Sequence, residues 1–242
     1  MPDRPELLRG RPRRERRTGA GIPRLSWRRL VNPITPLEIL NADQLEQVHQ
    51  ASLKILRDVG MEVLSDRALG LFEQAGASVT REGDRAARGA SGRVRMDPAQ
   101  VEALVAKAPA TFELHARNPE KNLAFGGRNL VFGAVGGPAF VSDIDRGRRP
   151  GNFADFQDYV RLIGALDVIH QEGGGPLEPI DLPVETRHLD MYRTFAINLD
   201  KTWQCLAFGA QVVEDAIEVA CISRGIDRAT LAEQPSLMTV VN

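Results

Sequence analysis

From residue 130 onward, short apolar runs alternate with helical stretches, and this rhythm constrains the fold more than any other feature of the chain. Residues 130–135 read as a strand ending in Gly136-Gly137-Pro138. Asn152 then caps a helix through Gly164, with Phe153, Phe156, Val160 and Ile163 on one face. Residues 165–171 form the next strand candidate, ending in Glu172-Gly173-Gly174-Gly175, and a helix follows over residues 183–199. The pattern repeats with a strand at 202–208 ending at Gly209, a helix at 212–223, and a strand at 236–241. Strands and helices alternating at these lengths build parallel β/α units, because a parallel neighbour is reached only through a crossover. Apolar runs this short suit strands covered on both faces.

Four strands and three helices account for residues 130–242. The expected fold class is therefore α/β: a (βα)8 TIM-type barrel of which the first four or so units are present and the rest cut off. An open doubly wound sheet is the alternative, but no strand feeds a G-x-G-x-x-G phosphate turn. A half-barrel standing alone would have two open sheet edges, so poor solubility of the isolated chain is expected.

The preceding segment has another texture. Asn41 with Gln44 forms a capping-box pair opening a helix on which Leu45, Val48, Ser52, Ile55, Leu56 and Val59 follow helical spacing, with Gly60 as its stop. Ser65 or Asp66 caps a second helix stopped by Gly76; a strand pair is expected at 77–80 and 93–96; Asp97-Pro98 opens a third helix. The expected division is a tail at 1–31, a small helical α+β extension at 32–110, and the barrel portion at 111–242.

Composition adds exclusions. The net charge of −1 conceals an Arg-rich beginning: residues 1–31 hold ten arginines against Asp3, Glu6 and Glu15, a net +7, leaving −8 for the remainder. That tail has no continuous apolar stretch, and its prolines oppose a stable helix, so it reads as a solvated extension. A nucleic-acid arm is the sharper, disfavoured reading, testable by salt-sensitive binding. Cys205 and Cys221 lack disulfide-framework spacing, in keeping with a cytoplasmic protein, and no run is long enough to span a bilayer. No H-E-x-x-H or C-x-x-C supports a metal site.

Barrel enzymes carry their working groups at the C-terminal strand ends, here marked by glycines that let a ligand or second protein approach the backbone. On that rule Gly136, Gly137 and Glu172 are candidate site residues, Glu172 being the best-placed acid. The stretch FVSDIDRGRRPG at 140–151 reads as a hairpin turned by Asp145-Arg146-Gly147, and as a lid or docking edge carrying Arg148 and Arg149. His49 is a further substrate-binding candidate, although it lies beside an apolar stripe, where a satisfied structural histidine is the default. His115, His170 and His188 read as packing or surface residues.

The stretch HQASLKILRDVGMEV at 49–63, the loop GGPAFVSDIDRGRRPG at 136–151, and the strand–helix periods after it resemble the trimethylamine methyltransferase family over residues 32–242. The resemblance implies a barrel with an N-terminal helical extension, in chains about twice this length. It implies transfer of a methyl group from a methylated, quaternary amine to the cobalt of a corrinoid (cobalamin) on a partner protein. No cofactor would be bound directly, and a homo-oligomer is expected at full length. The pyrrolysine of the trimethylamine-specific members lies in the later half, which this chain does not reach. Because a quaternary ammonium leaves as a neutral amine, the enzyme need only hold a cation, aim a methyl and exclude water. Aromatic faces suit such a cation. Phe140, Phe208, Tyr192 and Trp203 are the nearest aromatics to the strand ends, with Asp143 and Glu172 as countercharges. The contrasting reading is a non-catalytic quaternary-ammonium binder on the same barrel.

Overall fold

The computed structural model describes residues 25–82 and 91–240. The first 24 residues, which contain most of the Arg-rich tail, and the loop expected between the two early strands lie outside the described residues. The chain divides into two compact units: Leu30–Phe112 with Ala124–Leu130, and Glu113–Leu123 with Val131–Asn242 and the residues up to Arg29.

The first unit opens with β1 (Leu30–Val31) and α1 (Ala42–Asp58). Local chemistry sets α1: the Asn41 side chain accepts the Gln44 N–H at 2.9 Å, and Gln44 Oε1 accepts the Asn41 N–H at 3.0 Å. Gly60, at φ 70°, turns the chain out of the helix, and its N–H reaches the Ile55 carbonyl. After β2 (Met61–Val63) come α2 (Asp66–Gln74), capped by Ser65, then β3 (Ser78–Glu82) and β4 (Ser91–Arg95). The expected strand pair is thus part of a three-stranded antiparallel sheet in the order β2-β4-β3. Asp97 caps α3 (Pro98–Val105). The expected stripe on α1 is not where its burial lies: Leu53 is buried, whereas Leu45, Val48, Ile55 and Val59 are exposed.

The division between units runs through β5 (Phe112–Leu114) and β6 (Leu123–Phe125), and β7 (Asn129–Leu130) pairs antiparallel with β1. Val31 and its neighbours, read from sequence as tail, are therefore paired backbone. Trp27, also assigned to the tail, lies edge-on to His170 in the second unit, with ring centroids 4.8 Å apart.

The second unit begins with the hairpin β8 (Phe140–Asp143) and β9 (Gly147–Pro150), followed by α4 (Phe153–Ala165). Then come β10 (Gln171–Glu172), α5 (Arg187–Asn198), β11 (Thr202–Gln204), α6 (Ala210–Arg224), the short α7 (Arg228–Glu233) and β12 (Leu237–Met238). Strands β10, β11 and β12 are parallel neighbours in chain order, and Gly133 bridges Gln171 in the same sense. Four consecutive segments thus lie side by side without reversal.

The regular strands are shorter than the apolar runs that announced them. The first is a single bridge at Gly133, and the second begins at Gln171 rather than at 165. Gly164 lies within α4 where the end of α5 comes close: a Cβ there would lie 2.8 Å from the Asn198 carbonyl oxygen, which leaves no room for a side chain. The core lies between sheet and helices, where Phe156, Tyr192, Phe195 and Trp203 pack with centroids 5.3–6.4 Å apart. Tyr192 and Trp203 are accordingly core residues, not rim aromatics. Trp203 lies on the strand face that meets the helices.

Candidate functional site

At the C-terminal edge of the parallel strands the glycines do a different job from the one expected. A Cβ on Gly136 would lie 2.2 Å from the Gly173 carbonyl oxygen, and one on Gly173 would lie 1.8 Å from that of Ala134. Adjacent strand-end turns therefore touch backbone to backbone, with the Gly137 N–H donating to the Gly175 carbonyl at 2.8 Å. The closeness at Gly136 and Gly173 is thus required by the chain's own packing.

Glu172 is fully buried. Its Oε2 accepts the Gly174 N–H at 2.8 Å and its Oε1 the Gly175 N–H at 2.7 Å, so the carboxylate is wrapped by its own turn. Gly174 and Gly175 sit at φ 92° and 101°, the conformation that aims their N–H groups inward. Burial pushes the Glu172 carboxyl up to about 7 against the pull of these donors. Its two turn hydrogen bonds make it an anchor of the rim.

The hairpin is fastened to α4 by an ionic cluster. Asp143 Oδ1 accepts the Asp145 and Arg146 N–H groups at 3.0 and 2.7 Å, which makes the turn. Arg149 spans Asp143 and the buried Asp155, each at 2.6 Å, and Arg146 reaches Asp155 at 3.0 Å. The Arg146 N–H, then the arginine charges, hold the Asp143 carboxyl down at about 2. Asp143 and Arg149 thus neutralise each other, and neither is free as countercharge or docking residue. Arg148 lies 3.8 Å over the Phe140 ring, so the aromatic face expected for a substrate cation carries the chain's own guanidinium. His49 lies in the first unit, half-exposed and 3.5 Å from Glu102 of α3.

Phe208 remains open, 73% exposed. It borders a cavity of about 470 Å³ at the same strand edge, lined also by Glu178, Glu185, Arg187, His188, Met191 and Leu206. The apolar part comes from the segment after β11 and one face of α5; Glu178 and Glu185 come from the loop that leads into α5, and Arg187 and His188 from its first turn. Arg187 donates to Glu178 at 3.4 Å and to the Leu182 carbonyl at 2.9 Å, while its buried Nε has no partner among the described residues. His188 Nε2 lies 2.8 Å from Asp215 Oδ2, and Gln211 holds the other Asp215 oxygen at 2.9 Å. Hydrogen bonding from His188 holds the Asp215 carboxyl below its usual range. Glu178, Glu185, Arg187 and the His188–Asp215 pair carry no spacing signal. Arg187 meets Glu178 nine residues back along the chain, and His188 meets Asp215, 27 residues on, only when α5 packs on α6.

Lys201 was also missed. Its ammonium is buried and donates to the carbonyls of Ile163, Leu166 and Ile169 at 2.7–2.8 Å, closing the C-terminus of α4. Burial pulls its pKa down to about 8. Among the described residues no group of three or more His, Cys, Asp or Glu is arranged to hold a metal, and no helix is long and apolar enough to cross a membrane.

The family profile described as trimethylamine methyltransferase (MTTB) matches residues 8–242. The chain belongs to the trimethylamine methyltransferase family. The match starts well before residue 32, so most of the Arg-rich segment falls inside the family span, contrary to the sequence reading. A glycine betaine methyltransferase of Desulfitobacterium hafniense (strain Y51) is 36% identical over 204 residues, covering 84% of this chain and 40% of that protein. An L-carnitine:corrinoid methyltransferase of Eubacterium limosum is 28% identical over 127 residues, covering 52% of this chain and 24% of the relative. The trimethylamine methyltransferase MttB of D. hafniense (strain DSM 10664 / DCB-2) is 25% identical over 126 residues, again with 52% and 24% coverage. The chain thus spans less than half the length of each of these family members.

Proposed function

We propose that this chain is the leading part of an enzyme that transfers a methyl group from a methylated amine to the cobalt of a corrinoid held by a partner protein. Its parallel strands are the first four of a (βα)8 barrel. Support for the barrel comes from the strand order: consecutive neighbours without the reversal that marks a doubly wound sheet. Support for the chemistry comes from family membership and from the relatives' names, which cover betaine, carnitine and trimethylamine.

The observation that carries the site is the cavity beside Phe208. The corrinoid, carried by the partner, supplies the nucleophile, so this chain has to bind, orient and keep dry. Phe208 offers a π face to a bulky ammonium, worth about 0.5–2 kcal/mol. Met191 and Leu206 give its methyl groups an apolar wall. Glu185 supplies negative potential without a proton-transfer role, since the departing amine is neutral, while the charge of Glu178 is offset by Arg187. Both acids stand on the loop after β10, at the edge where a partner reaches the cavity from outside.

The test is turnover by the full-length protein with its corrinoid partner. Methyl-cobalt formation, read by absorbance against a panel of betaines and methylamines, is the expected result. Calorimetric binding of a quaternary amine with no methyl transfer under any of these conditions would favour the non-catalytic binder instead.

A further inference from the structure

Helix α1 turns an apolar stripe away from the unit it belongs to. Leu45, Val48, Ser52, Ile55 and Val59 follow one another at alternating intervals of three and four residues, which keeps them on one face of a helix. The four apolar members are each more than half exposed. Leu53, which α1 does bury, points about 120° away from the stripe, and His49, between the two, meets Glu102 of α3. The capping box at Asn41 and the turn at Gly60 fix both ends, so the stripe stands on a formed helix. A stripe of this period is the seam along which two helices pack, crossing at about 20°.

The rest of the chain has no sequence to match it. Residues 83–90, GDRAARGA, carry no large apolar side chain, and residues 1–24 contain four prolines and no apolar heptad. The seam does fit itself. Alternating intervals of three and four remain so when read backwards, so an antiparallel copy can lie along it about a two-fold axis. With that axis at the height of Gln50, Leu45 falls beside Ile55 of the other copy and Val48 beside its Ser52. Val59 falls beside the other copy's Leu40, which is itself exposed just before the cap. Shifting the pair by a heptad would instead set Leu45 against Glu62. The small Ala51 and Ser52 stand near the axis, where the helices approach closely, and no like charges oppose: Gln44 falls near Asp58 of the other copy, and Ala51 near its own equivalent. A covering segment from elsewhere in a longer protein would need no such symmetry. We infer that α1 is one half of a two-fold interface with a second copy of this chain, built on Leu45, Val48, Ile55 and Val59. The interface does not depend on the proposed amine site.

Sedimentation of the full-length enzyme is expected to show an even-numbered oligomer. Leu45→Lys and Ile55→Glu should each halve its mass, because each sets an unpaired charge in two layers of the seam. An equimolar mixture of the two variants should regain the mass: one layer of the mixed pair keeps Leu45 beside Ile55, and the other becomes an ion pair. On the unaltered enzyme, hydrogen exchange of the α1 amides should slow as protein concentration rises. That measurement decides if a variant fails to fold. A monomer, an oligomer that both variants leave intact, or a loss of mass that mixing does not restore overturns the assignment. So does α1 exchange indifferent to concentration, which is what cover by a later part of the same enzyme would give.

Discussion

Gly173 presses its α-carbon against the Ala134 carbonyl so closely that a methyl group there would lie 1.8 Å from the oxygen. Gly136 meets the Gly173 carbonyl in turn, at 2.2 Å for a built Cβ. Backbone cannot yield as a side-chain tip can, so Gly173→Ala and Gly136→Ala are each expected to destabilise the second unit by about 3 kcal/mol or more. Gly127, whose added Cβ would meet nothing within 4 Å, is a useful contrast despite its positive φ of 57°. Its alanine variant should cost only about 1 kcal/mol. Urea midpoints of the three variants check the order.

Glu172 should make stability depend on pH in an unusual direction. Its folded pKa is about 7 against 4.5 for the free side chain, so the folded state holds the proton more tightly. The associated stability is complete below pH 4.5 and is lost as pH rises to about 7, up to about 3 kcal/mol in all. Thermal unfolding between pH 5 and 7.5 should show the decline. Glu172→Gln has no proton to lose, so this part of the slope should vanish in it.

Lys201 gives three hydrogen bonds to the carbonyls of Ile163, Leu166 and Ile169, the last of which has no other donor among the described backbone contacts. Lys201→Met keeps the stem and removes the donors, which should cost about 3 kcal/mol by leaving the end of α4 unsatisfied. In the unaltered chain, the lowered pKa of about 8 means this group's stability is full above 10.5 and falls as pH drops through 8. Hydrogen exchange at the last turn of α4 in the variant should quicken selectively.

Phe208 tests the proposed amine site. In the full-length enzyme, Phe208→Ala should weaken quaternary-ammonium affinity about tenfold, within the range of a cation–π contact, and leave the melting temperature nearly unchanged because the ring is exposed. Glu185→Gln should weaken it less, and the loss should shrink at high salt. An unchanged affinity in both variants, by calorimetry, would move the site elsewhere on the rim.

Much of this was legible from residues close in sequence. Asn41 and Gln44 announce α1, Asn152 announces α4, Asp97-Pro98 announces α3, and Gly60 ends its helix where expected, because a cap needs only neighbours three residues away. The hairpin at 140–150 follows from Asp143 and Gly147 for the same reason. Strand lengths were overestimated, because an apolar run records burial while a strand also needs a paired neighbour. The site was read less well. Phe140, Tyr192 and Trp203 were all plausible rim aromatics, yet one faces its own arginine and two fill the core.

What the sequence determined by itself is the order of elements, their caps and turns, the family, and the edge of the sheet on which glycines and acids gather. These rest on short-range sterics and hydrogen bonds, and on hydrophobic period. What only the tertiary structure decided is which charges remain available. Asp143 is consumed by Arg149, Glu172 by the N–H groups of its own turn, and Lys201 by carbonyls more than thirty residues away, whereas Phe208 and Glu185 are left facing the cavity. A side chain's free valence depends on who arrives beside it on folding, and no spacing in the chain records that.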